Sequence, residues 1–388
     1  MKQFLSLLAL GATWFDVAGA KDSKGIVPGK AFERIITIWL ENQDFAKVVL
    51  DSNIADLKRR GVLLDRYYAQ THPSQPNYLA ALGGDYFGCN HDDFLRIPEK
   101  VFTITDLLES RNVSWAAYME DMPGPGFMGD YSDGSTGNGG WDYVRKHNPF
   151  VSYDSITNDG ERLLRILSFD DFQRDFAARR VPQFVFMTPN MMNDGHNSTL
   201  QAAAEWSHKF LQPLLADNAF DERTLIMLTF DESETYEEPN HIVTLLLGTA
   251  IRPVIKGTDD HTFYTHYSIL STVEYNWQLP NLGRYDVGAN VFHFAADTGG
   301  GYRDNKDPEN AAAVDNSVSY PGFLHNETDK HRPIPPPNLN LVGAGGQGVL
   351  EAIKNAWRAD KGKSTPYDGS GRLYDGVKVL PIHKAPTP

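Results

Sequence analysis

A short apolar run, Arg34-Ile35-Ile36-Thr37-Ile38-Trp39-Leu40, leads directly into Glu41-Asn42. Its apolar residues are nearly continuous rather than alternating, which is typical of a strand that is buried on both faces of a sheet. Three later runs share this pattern and lie at residues 183–188, 224–230 and 241–247. Helical patterns lie between the strands, and we therefore predict an α/β fold with a mostly parallel central sheet and helices on both faces.

Apolar residues that recur every three or four positions predict the helices. We expect helices at residues 54–60, 78–82, 200–214, 268–277 and 349–357. The second of these is Ala-rich and is followed by two glycines, which are expected to end it.

Acidic and amide side chains follow three of the predicted strands. Glu41-Asn42 follows the first strand, residues 189–196 with Asp194 and His196 follow the second, and Asp231-Glu232 follows the third. In open α/β sheets, ligands bind at the carboxyl ends of the strands. Turn formation explains Asn, Asp and Gly at such positions, but it does not require glutamate at two strand ends or a histidine near Asp194. We therefore favour a ligand site at this edge of the sheet.

The oxygen-bearing side chains at this edge suit a hard divalent cation such as Ca²⁺, Mg²⁺ or Mn²⁺. They are Glu41, Asn42, Asp231 and Glu232. A cation of this kind can hold a phosphoryl oxygen and lower the pKa of a coordinated hydroxyl. The alternative is a set of solvated turn residues. Because these residues are far apart in sequence, their spacing alone leaves both interpretations open.

Ser74 lies in the segment Thr71-His72-Pro73-Ser74-Gln75-Pro76-Asn77-Tyr78, at the predicted start of the Ala-rich helix. Serine is a favoured N-cap and Pro76 suits a first helical turn, so a structural role accounts for this segment. A hydroxyl at a helix N-terminus also faces free backbone N–H groups and the positive end of the helix dipole, where phosphate binds readily. The two interpretations are compatible.

Histidines are the further candidates for proton transfer and phosphate binding. His196 follows Asp194 at a spacing that occurs in metal and general-acid sites. His266 precedes a predicted helix, and His241 begins the fourth predicted strand. We expect surface or structural roles for His72, His91, His261 and His325.

Residues 1–20 have the features of a secretory signal, with Lys2, an apolar run at 4–10 and the ending Ala18-Gly19-Ala20. The alternatives are a buried helix or a membrane anchor, but the run is too short to cross a bilayer. Asn-X-Ser/Thr sequons, which agree with this route, occur at Asn112, Asn197 and Asn326. We expect a secreted glycoprotein, located extracellularly or in the cell wall.

The composition of the chain indicates which partners it can bind and how its fold is stabilised. A formal net charge of -14 argues against a nucleic-acid-binding surface. Cys89 is the single cysteine, so no intramolecular disulfide can form and stability must come from a large core. We predict one catalytic domain over residues 21–300, followed at 301–388 by covering loops and a partly mobile tail.

Five of these segments occur in an order that resembles a known family. They are Glu41-Asn42-Gln43-Asp44-Phe45, the Ser74 segment, Pro189-Asn190-Met191-Met192-Asn193-Asp194-Gly195-His196, Phe230-Asp231-Glu232 and Asn240-His241. The order resembles the phosphoesterase family of secreted fungal acid phosphatases. That family is related to bacterial acid phosphatases and phospholipase C-type enzymes, within the alkaline-phosphatase-like superfamily. The resemblance covers roughly residues 30–300, and five ordered motifs are more specific than any one of them.

The resemblance implies roles for individual positions. Glu41 and Asn42 match a metal-binding pair at the end of the first strand, and Asp231 and Glu232 match a second pair of metal ligands. Ser74 matches the nucleophile position, where a metal-bound serine forms a covalent phosphoserine.

Further roles are implied around these positions. Asp194 and His196 fall where two-metal members of the superfamily place a second-metal Asp-His pair, and Asp194 is therefore counted among the metal ligands. The Asp-to-His spacing is narrower here than in those enzymes, so His196 and His266 are expected to protonate the leaving group or to bind phosphate. Asn90 and His241 are expected to bind substrate.

The resulting expectation is a secreted acid phosphatase that hydrolyses small phosphate monoesters through Ser74. A phospholipase C-type phosphodiesterase acting on phospholipid headgroups is the alternative. No amphipathic or basic membrane-facing segment is evident, which favours soluble substrates and no stable membrane association. A catalytically inactive secreted binding or wall protein is a third possibility, against which the complete set of proposed ligands counts.

Overall fold

The computed structural model describes residues 25–134, 137, 139–216, 218–296 and 319–371. The predicted signal at residues 1–20 lies outside these ranges. So do two parts of the predicted C-terminal region, at 301–318 and 372–388.

A nine-stranded sheet forms the centre of the described structure. Its strands are β1 (Arg34–Leu40), β2 (Val62–Tyr68), β3 (Trp115–Met119), β4 (Ile166–Ser168), β5 (Phe184–Thr188), β6 (Thr224–Phe230), β7 (His241–Leu247), β8 (Thr258–Asp260) and β9 (Tyr264–Thr265). They lie in the order β4-β3-β5-β1-β6-β7-β2-β8, and β9 also pairs with β2. The four apolar runs of the sequence form β1, β5, β6 and β7.

The sheet is mostly parallel, as predicted. β1 pairs in parallel with β5 on one side and with β6 on the other. β7 is the exception, because it runs antiparallel to both β6 and β2. The segment 231–240 that joins β6 to β7 is too short for the crossover that a parallel neighbour requires. The chain therefore turns back beside β6.

Helices occur at each of the predicted places. They are α1 (Phe45–Val48), α2 (Ser52–Arg59), α3 (Ser74–Gly83), α4 (Ile104–Glu109), α5 (Asp154–Thr157), α6 (Gly160–Leu163), α7 (Phe169–Ala177), α8 (Leu200–Leu214), α9 (Tyr267–Trp277), α10 (His293–Ala296) and α11 (Glu351–Ala356). None of the helices in the described ranges combines the length and the apolar character that a membrane span requires.

Both faces of the central strands are covered. Every residue of β1 and of β6 is buried, which a sheet with one face in water would not allow. α2 packs against α8, while α3 packs against α9. The prediction of an α/β fold with a buried, mostly parallel sheet is confirmed.

Helix α3 carries Ser74 and is buried along its whole length. Gly84 ends it in the left-handed region at φ 73°, with its N–H donating to the Ala80 carbonyl at 3.1 Å. A Cβ at Gly83 would lie 2.2 Å from the Tyr153 hydroxyl. The two glycines therefore end the helix and allow it to pack closely.

The described C-terminal residues, 319–371, pack on the same core. Trp357 is buried and donates from Nε1 to the Lys100 carbonyl at 2.9 Å. The hydroxyls of Tyr320 and Tyr367 both donate to the buried carboxylate of Asp85. The division of the chain at residue 300 stays a prediction.

Candidate active site

Three adjacent parallel strands deliver polar side chains to one edge of the sheet. Leu40 at the end of β1 lies beside Phe230 at the end of β6, so the residues that follow them are neighbours. The Asn42 N–H donates to Asp231 Oδ1 at 3.2 Å, and its side-chain amide donates to Glu232 Oε1 at 2.8 Å. The two motifs that are far apart in sequence thus meet in the fold.

The segment after β5 joins the same edge. The Glu41 N–H donates to the Asp194 carbonyl at 2.9 Å, which holds the 189–196 segment against the end of β1. Asp194 Oδ1 accepts from the His196 N–H at 2.8 Å. Glu41 and Asp194 are both buried.

The Ser74 hydroxyl lies at the centre of these groups. Its Oγ is 3.0 Å from Glu41 Oε2, 3.4 Å from Asn42 Oδ1 and 3.3 Å from Glu232 Oε1. Pro73, not Ser74, occupies the N-cap position, and Ser74 is the first residue of α3. The serine side chain is therefore directed into the strand-end cluster.

The carboxylates of this cluster are buried and repel one another. Burial, followed by repulsion from Glu41, raises the pKa values of Asp194, Asp231 and Glu232 well above the usual range of a carboxyl group. Within the described chain, Asp231 Oδ2 is buried without a hydrogen-bond donor. Carboxylates held this way are stabilised by a cation, so these residues fit the predicted divalent metal.

His147 belongs to the site, although no sequence pattern pointed to it. Its Nε2 lies 3.3 Å from Glu41 Oε1, and its Nδ1 lies 3.6 Å from Asp194 Oδ2. Burial lowers its pKa well below the ordinary histidine value. It lies in a 3₁₀ turn, Arg145–His147, in the long connection between β3 and β4. Its proximity depends on tertiary folding, so spacing in the sequence could not reveal it.

His72 also lies at the site, where the sequence predicted a surface or structural role. Its Nδ1 is 2.5 Å from Glu232 Oε2, and its ring stacks on Tyr236 at 3.9 Å between centroids. Burial lowers its pKa to about 4. The one feature of the sequence that indicated a place for His72 in the site is its position two residues before Ser74.

Lys146 and His196 form a rim at the border of the cluster. Lys146 Nζ lies 2.9 Å from Asp92 Oδ2 and 3.5 Å from His196 Nε2. Burial alone would lower the pKa of Lys146, but the nearby Asp92 and Glu41 carboxylates raise it above its usual value. His196 is exposed, and its ring centroid is 6.0 Å from that of His147. A ligand entering from solvent would meet this rim.

His266 lies beneath the cluster. Its Nε2–H donates to the Asp231 carbonyl at 2.7 Å, and the Tyr67 hydroxyl donates to its Nδ1 at 3.3 Å. It is fully buried against Trp39, and burial lowers its pKa to about 4. Both ring nitrogens are engaged, which favours support of the Asp231 backbone over proton donation to a substrate.

The two residues predicted to bind substrate have contacts elsewhere. Asn90 exchanges two hydrogen bonds with Asn326, at 2.9 and 3.0 Å. His241 donates to the Asp65 carbonyl at 2.8 Å and stacks between Phe45 and Tyr68. These contacts give both residues structural functions, and a role in substrate binding stays a prediction.

Comparison with known proteins identifies relatives over most of the chain. The model of the Phosphoesterase family matches residues 43–280. A probable acid phosphatase of Kluyveromyces lactis is 43% identical over 87% of this chain and 78% of its own length. A phosphate-repressible acid phosphatase of Penicillium chrysogenum is 42% identical over 91% of this chain and 85% of its own.

More distant similarities accompany these relatives. A phosphatidylinositol-3-phosphatase of Mycobacterium tuberculosis is 27% identical over 71% of this chain and 86% of its own length. The crystal structure of a protein in the alkaline phosphatase superfamily from Vibrio parahaemolyticus aligns with 62% of this chain and 65% of its own at a TM-score of 0.43 and 12% identity. The family match and the fungal relatives together show that this chain belongs to the Phosphoesterase family.

Proposed function

We propose that the protein is an acid phosphatase that hydrolyses phosphate monoesters through a phosphoserine on Ser74. The observation that carries the proposal is the buried Ser74 hydroxyl, which lies within 3.0–3.4 Å of three side-chain oxygens from residues that follow β1 and β6. Two fungal relatives that are 42–43% identical bear acid phosphatase names. Their similarity supports the activity, and the position of Ser74 supports the chemistry.

The proposed metal ligands are Glu41, Asn42, Ser74, Asp231 and Glu232. A divalent cation bound there supplies positive charge to a phosphoryl oxygen and lowers the pKa of a serine hydroxyl. Ca²⁺, Mg²⁺ and Mn²⁺ suit these oxygen ligands.

The first chemical step is an in-line attack of Ser74 Oγ on phosphorus. The hydroxyl proton is released to water as the bond between Oγ and phosphorus forms, and Glu41, whose Oε2 lies 3.0 Å from Oγ, keeps its role as a proposed metal ligand. The bond between phosphorus and the leaving oxygen breaks, and that oxygen takes a proton from His196 at the exposed rim. Lys146 beside His196 balances charge on the phosphoryl oxygens. The alcohol then departs.

The second step reverses these transfers. Water attacks the phosphoserine and gives a proton to His196, while Ser74 Oγ takes up a proton from solvent. Orthophosphate is released and every group returns to its starting state. Splitting the displacement into two steps avoids one difficult direct hydrolysis.

Replacing Ser74 tests this function directly. We expect Ser74→Ala to lower kcat for p-nitrophenyl phosphate by about 10³-fold or more, because the proposed intermediate forms on the hydroxyl that this change removes. Ser155→Ala is the matched control, since Ser155 is also buried but donates to the Val101 carbonyl, outside this cluster. Near-normal turnover by a folded Ser74→Ala protein would contradict the proposal.

A lipid substrate is the second candidate, favoured by the mycobacterial relative named phosphatidylinositol-3-phosphatase. The phospholipase C-type alternative would instead cleave a phosphodiester. Purified protein should be assayed on a soluble monoester, a phosphorylated phosphoinositide in micelles and phosphatidylcholine. Fastest turnover of the soluble monoester supports the proposal, whereas preferred cleavage of phosphatidylcholine would replace it with the phosphodiesterase function.

We also propose that the protein is secreted and glycosylated. The proposal is supported by the signal-like residues 1–20 and by the exposure of all three sequon asparagines, Asn112, Asn197 and Asn326. Expression in a fungal host should release a protein that begins after residue 20 and loses mass on endoglycosidase treatment. Retention in the cells with an unchanged N-terminus would contradict secretion.

A further inference from the structure

An exposed aromatic ring lies beside the Ser74 cluster. Tyr236 is 42% exposed and belongs to the 231–240 segment that joins β6 to β7. Its ring stacks on that of His72, with 3.9 Å between the centroids and 21° between the planes. His72 Nδ1 lies 2.5 Å from Glu232 Oε2, and Glu232 Oε1 lies 3.3 Å from Ser74 Oγ. Two side chains therefore connect the Tyr236 ring to the Ser74 hydroxyl.

The two faces of the Tyr236 ring have different surroundings. One face covers the imidazole of His72, which is buried. The exposed part of the Tyr236 side chain consequently belongs to the opposite face and to the ring edge. A tyrosine ring held flat on another ring presents an apolar surface on which a further aromatic group can stack.

The charges that act on Tyr236 locate its ring at the entrance of the site. Burial and then the Glu232 carboxylate raise the pKa of Tyr236 to about 12. The Asp92 carboxylate adds to this rise, and the Lys146 ammonium opposes it. Charges interact strongly only over short distances, so Tyr236 borders the same opening as the rim residue Lys146. Its hydroxyl stays protonated at acid and neutral pH, and the ring therefore does not repel an anionic substrate.

Hydrogen bonds hold the segment that carries Tyr236. The Thr235 N–H donates to Asp44 Oδ1 at 2.9 Å, and the Thr235 hydroxyl donates to Asp44 Oδ2 at 3.0 Å. The Ser233 N–H donates to Asn240 Oδ1 at 2.7 Å. Because Asp44 belongs to the segment after β1, the loop is fixed to the ends of both β1 and β6. The ring is thus positioned in advance, which limits the entropy lost when a ligand stacks on it.

The geometry of the displacement brings the leaving group toward this ring. In an in-line attack, the attacking and leaving oxygens lie on opposite sides of phosphorus. The Ser74 hydroxyl is buried, so the leaving group extends from phosphorus toward the solvent entrance, which Tyr236 borders. An aromatic leaving group gains ring stacking there, and an alkyl group of similar polarity does not.

We propose that Tyr236 forms a leaving-group subsite, in which its exposed face stacks on the ring of an aryl phosphate monoester. The inference rests on the proposed hydrolysis at Ser74 and names a preferred class of substrate for it. Ring stacking of this kind corresponds to about a 3–10-fold preference.

Removing the ring tests the subsite. Tyr236→Leu keeps an apolar side chain over His72 but has no ring. We expect it to lower the ratio of kcat/KM for phenyl phosphate to kcat/KM for ethyl phosphate by about 3–10-fold. Comparison with the unaltered protein cancels the different reactivities of the two esters. Tyr236→Phe retains the ring and should retain the ratio. Phe323→Leu is the matched control, because Phe323 also lies against a histidine, His331, but in the C-terminal segment.

Two kinetic outcomes would overturn the subsite. If Tyr236→Leu lowered kcat/KM equally for both esters, or for neither, the ring would serve only to cover His72. If Tyr236→Phe also lost the ratio, the hydroxyl and not the ring face would contact the substrate.

Binding of non-hydrolysable analogues separates this inference from the proposed function. Benzylphosphonate and propylphosphonate carry a methylene group in place of the bridging oxygen of phenyl phosphate and ethyl phosphate. In calorimetric titrations of the protein with Mn²⁺ present, we expect Tyr236→Leu to weaken benzylphosphonate binding by about 3–10-fold relative to propylphosphonate binding. If this shift occurred but neither ester were hydrolysed, the proposed hydrolysis would be wrong and aryl recognition by Tyr236 would hold. Hydrolysis of both esters with no shift in relative affinity would overturn the subsite and leave the proposed function intact.

Discussion

At the scale of single residues, the site is defined by which atoms each side chain leaves free. Asp231 Oδ1 accepts a hydrogen bond from the Asn42 backbone N–H, and Oδ2 has no donor among the described residues. His266 holds the backbone of the same residue from below. The Asn42 N–H and His266 thus orient Asp231, whose free oxygen is directed into the proposed site.

His72 provides a prediction at this scale. Its Nδ1 contacts Glu232 Oε2, and outer partners of this kind orient metal ligands. His72→Phe keeps an aromatic ring to stack on Tyr236 but removes the nitrogen, so we expect about 10–100-fold weaker Mn²⁺ binding. The affinity is measured by calorimetric titration. His331→Phe, which alters an exposed histidine, is the control, and equal affinities in the two variants would refute the role.

The sequence predicted part of this residue-level picture. Four of the proposed ligands could be predicted because they directly follow apolar runs that indicate buried strands. They are Glu41, Asn42, Asp231 and Glu232. His147 could not be predicted from the sequence, because it lies in a 3₁₀ turn whose position depends on the whole connection between β3 and β4. Residues on regular strand ends can be placed from a pattern, whereas residues on irregular connections need the fold.

At the scale of elements, α3 positions Ser74 by packing with no solvent-exposed face. All of its residues are buried, and its last turn lies against Tyr153. The Tyr153 hydroxyl is itself held by donation to the Leu79 carbonyl at 3.0 Å. The helix therefore has little room to shift along its axis.

Gly83→Ala tests this tight packing. The new Cβ would lie 2.2 Å from the Tyr153 hydroxyl, so we expect a loss of about 1–3 kcal/mol in the free energy of unfolding. Urea denaturation measures the change. Gly124→Ala is the matched control because no atom lies within 4 Å of its added Cβ. Equal stability of the two variants would show that α3 adjusts freely.

The elements themselves were largely predictable, apart from the direction of one strand. β7 has the same nearly continuous apolar pattern as β1 and β6, yet it runs antiparallel to its neighbours. Texture reports burial on both faces, and it carries no information about direction. The short 231–240 connection is what makes β7 turn back antiparallel to β6 in a sheet that is otherwise parallel, as predicted.

At the scale of the whole molecule, burial of acidic groups extends beyond the active site. Glu274 and Asp286 are both buried, and neither carboxylate oxygen of Glu274 has a hydrogen-bond partner among the described residues. Burial, followed by repulsion from Asp286, raises the pKa of Glu274 well above the usual range of a glutamate side chain. The protonated, neutral form of the Glu274 side chain is therefore favoured in the folded protein.

This pair predicts a pH dependence of stability. The raised pKa means that the folded state holds a proton which the unfolded state releases above its ordinary value, so stability is fully present at acid pH and falls as pH rises toward the folded-state pKa. Glu274→Gln keeps the size and shape of the side chain and removes the titration. We expect its melting temperature to decrease less than that of the unaltered protein between pH 4 and pH 7.5.

The exposed Glu351 provides the comparison for this prediction, because Glu351→Gln should leave the pH dependence unchanged. If the melting temperatures of Glu274→Gln and of the unaltered protein changed equally with pH, the prediction would be wrong. Glu274 would then have the same pKa in the folded and the unfolded protein.

The account of the whole molecule centres on Ser74, where three strands, one helix and the buried carboxylates converge. The most direct measurement is rapid acid quenching during turnover of a monoester, followed by peptide mapping by mass spectrometry. We predict a phosphate group on the peptide that contains Ser74, and on Ser74 within it. A steady state with full turnover and phosphate on no residue, or on another residue, would contradict the assignment.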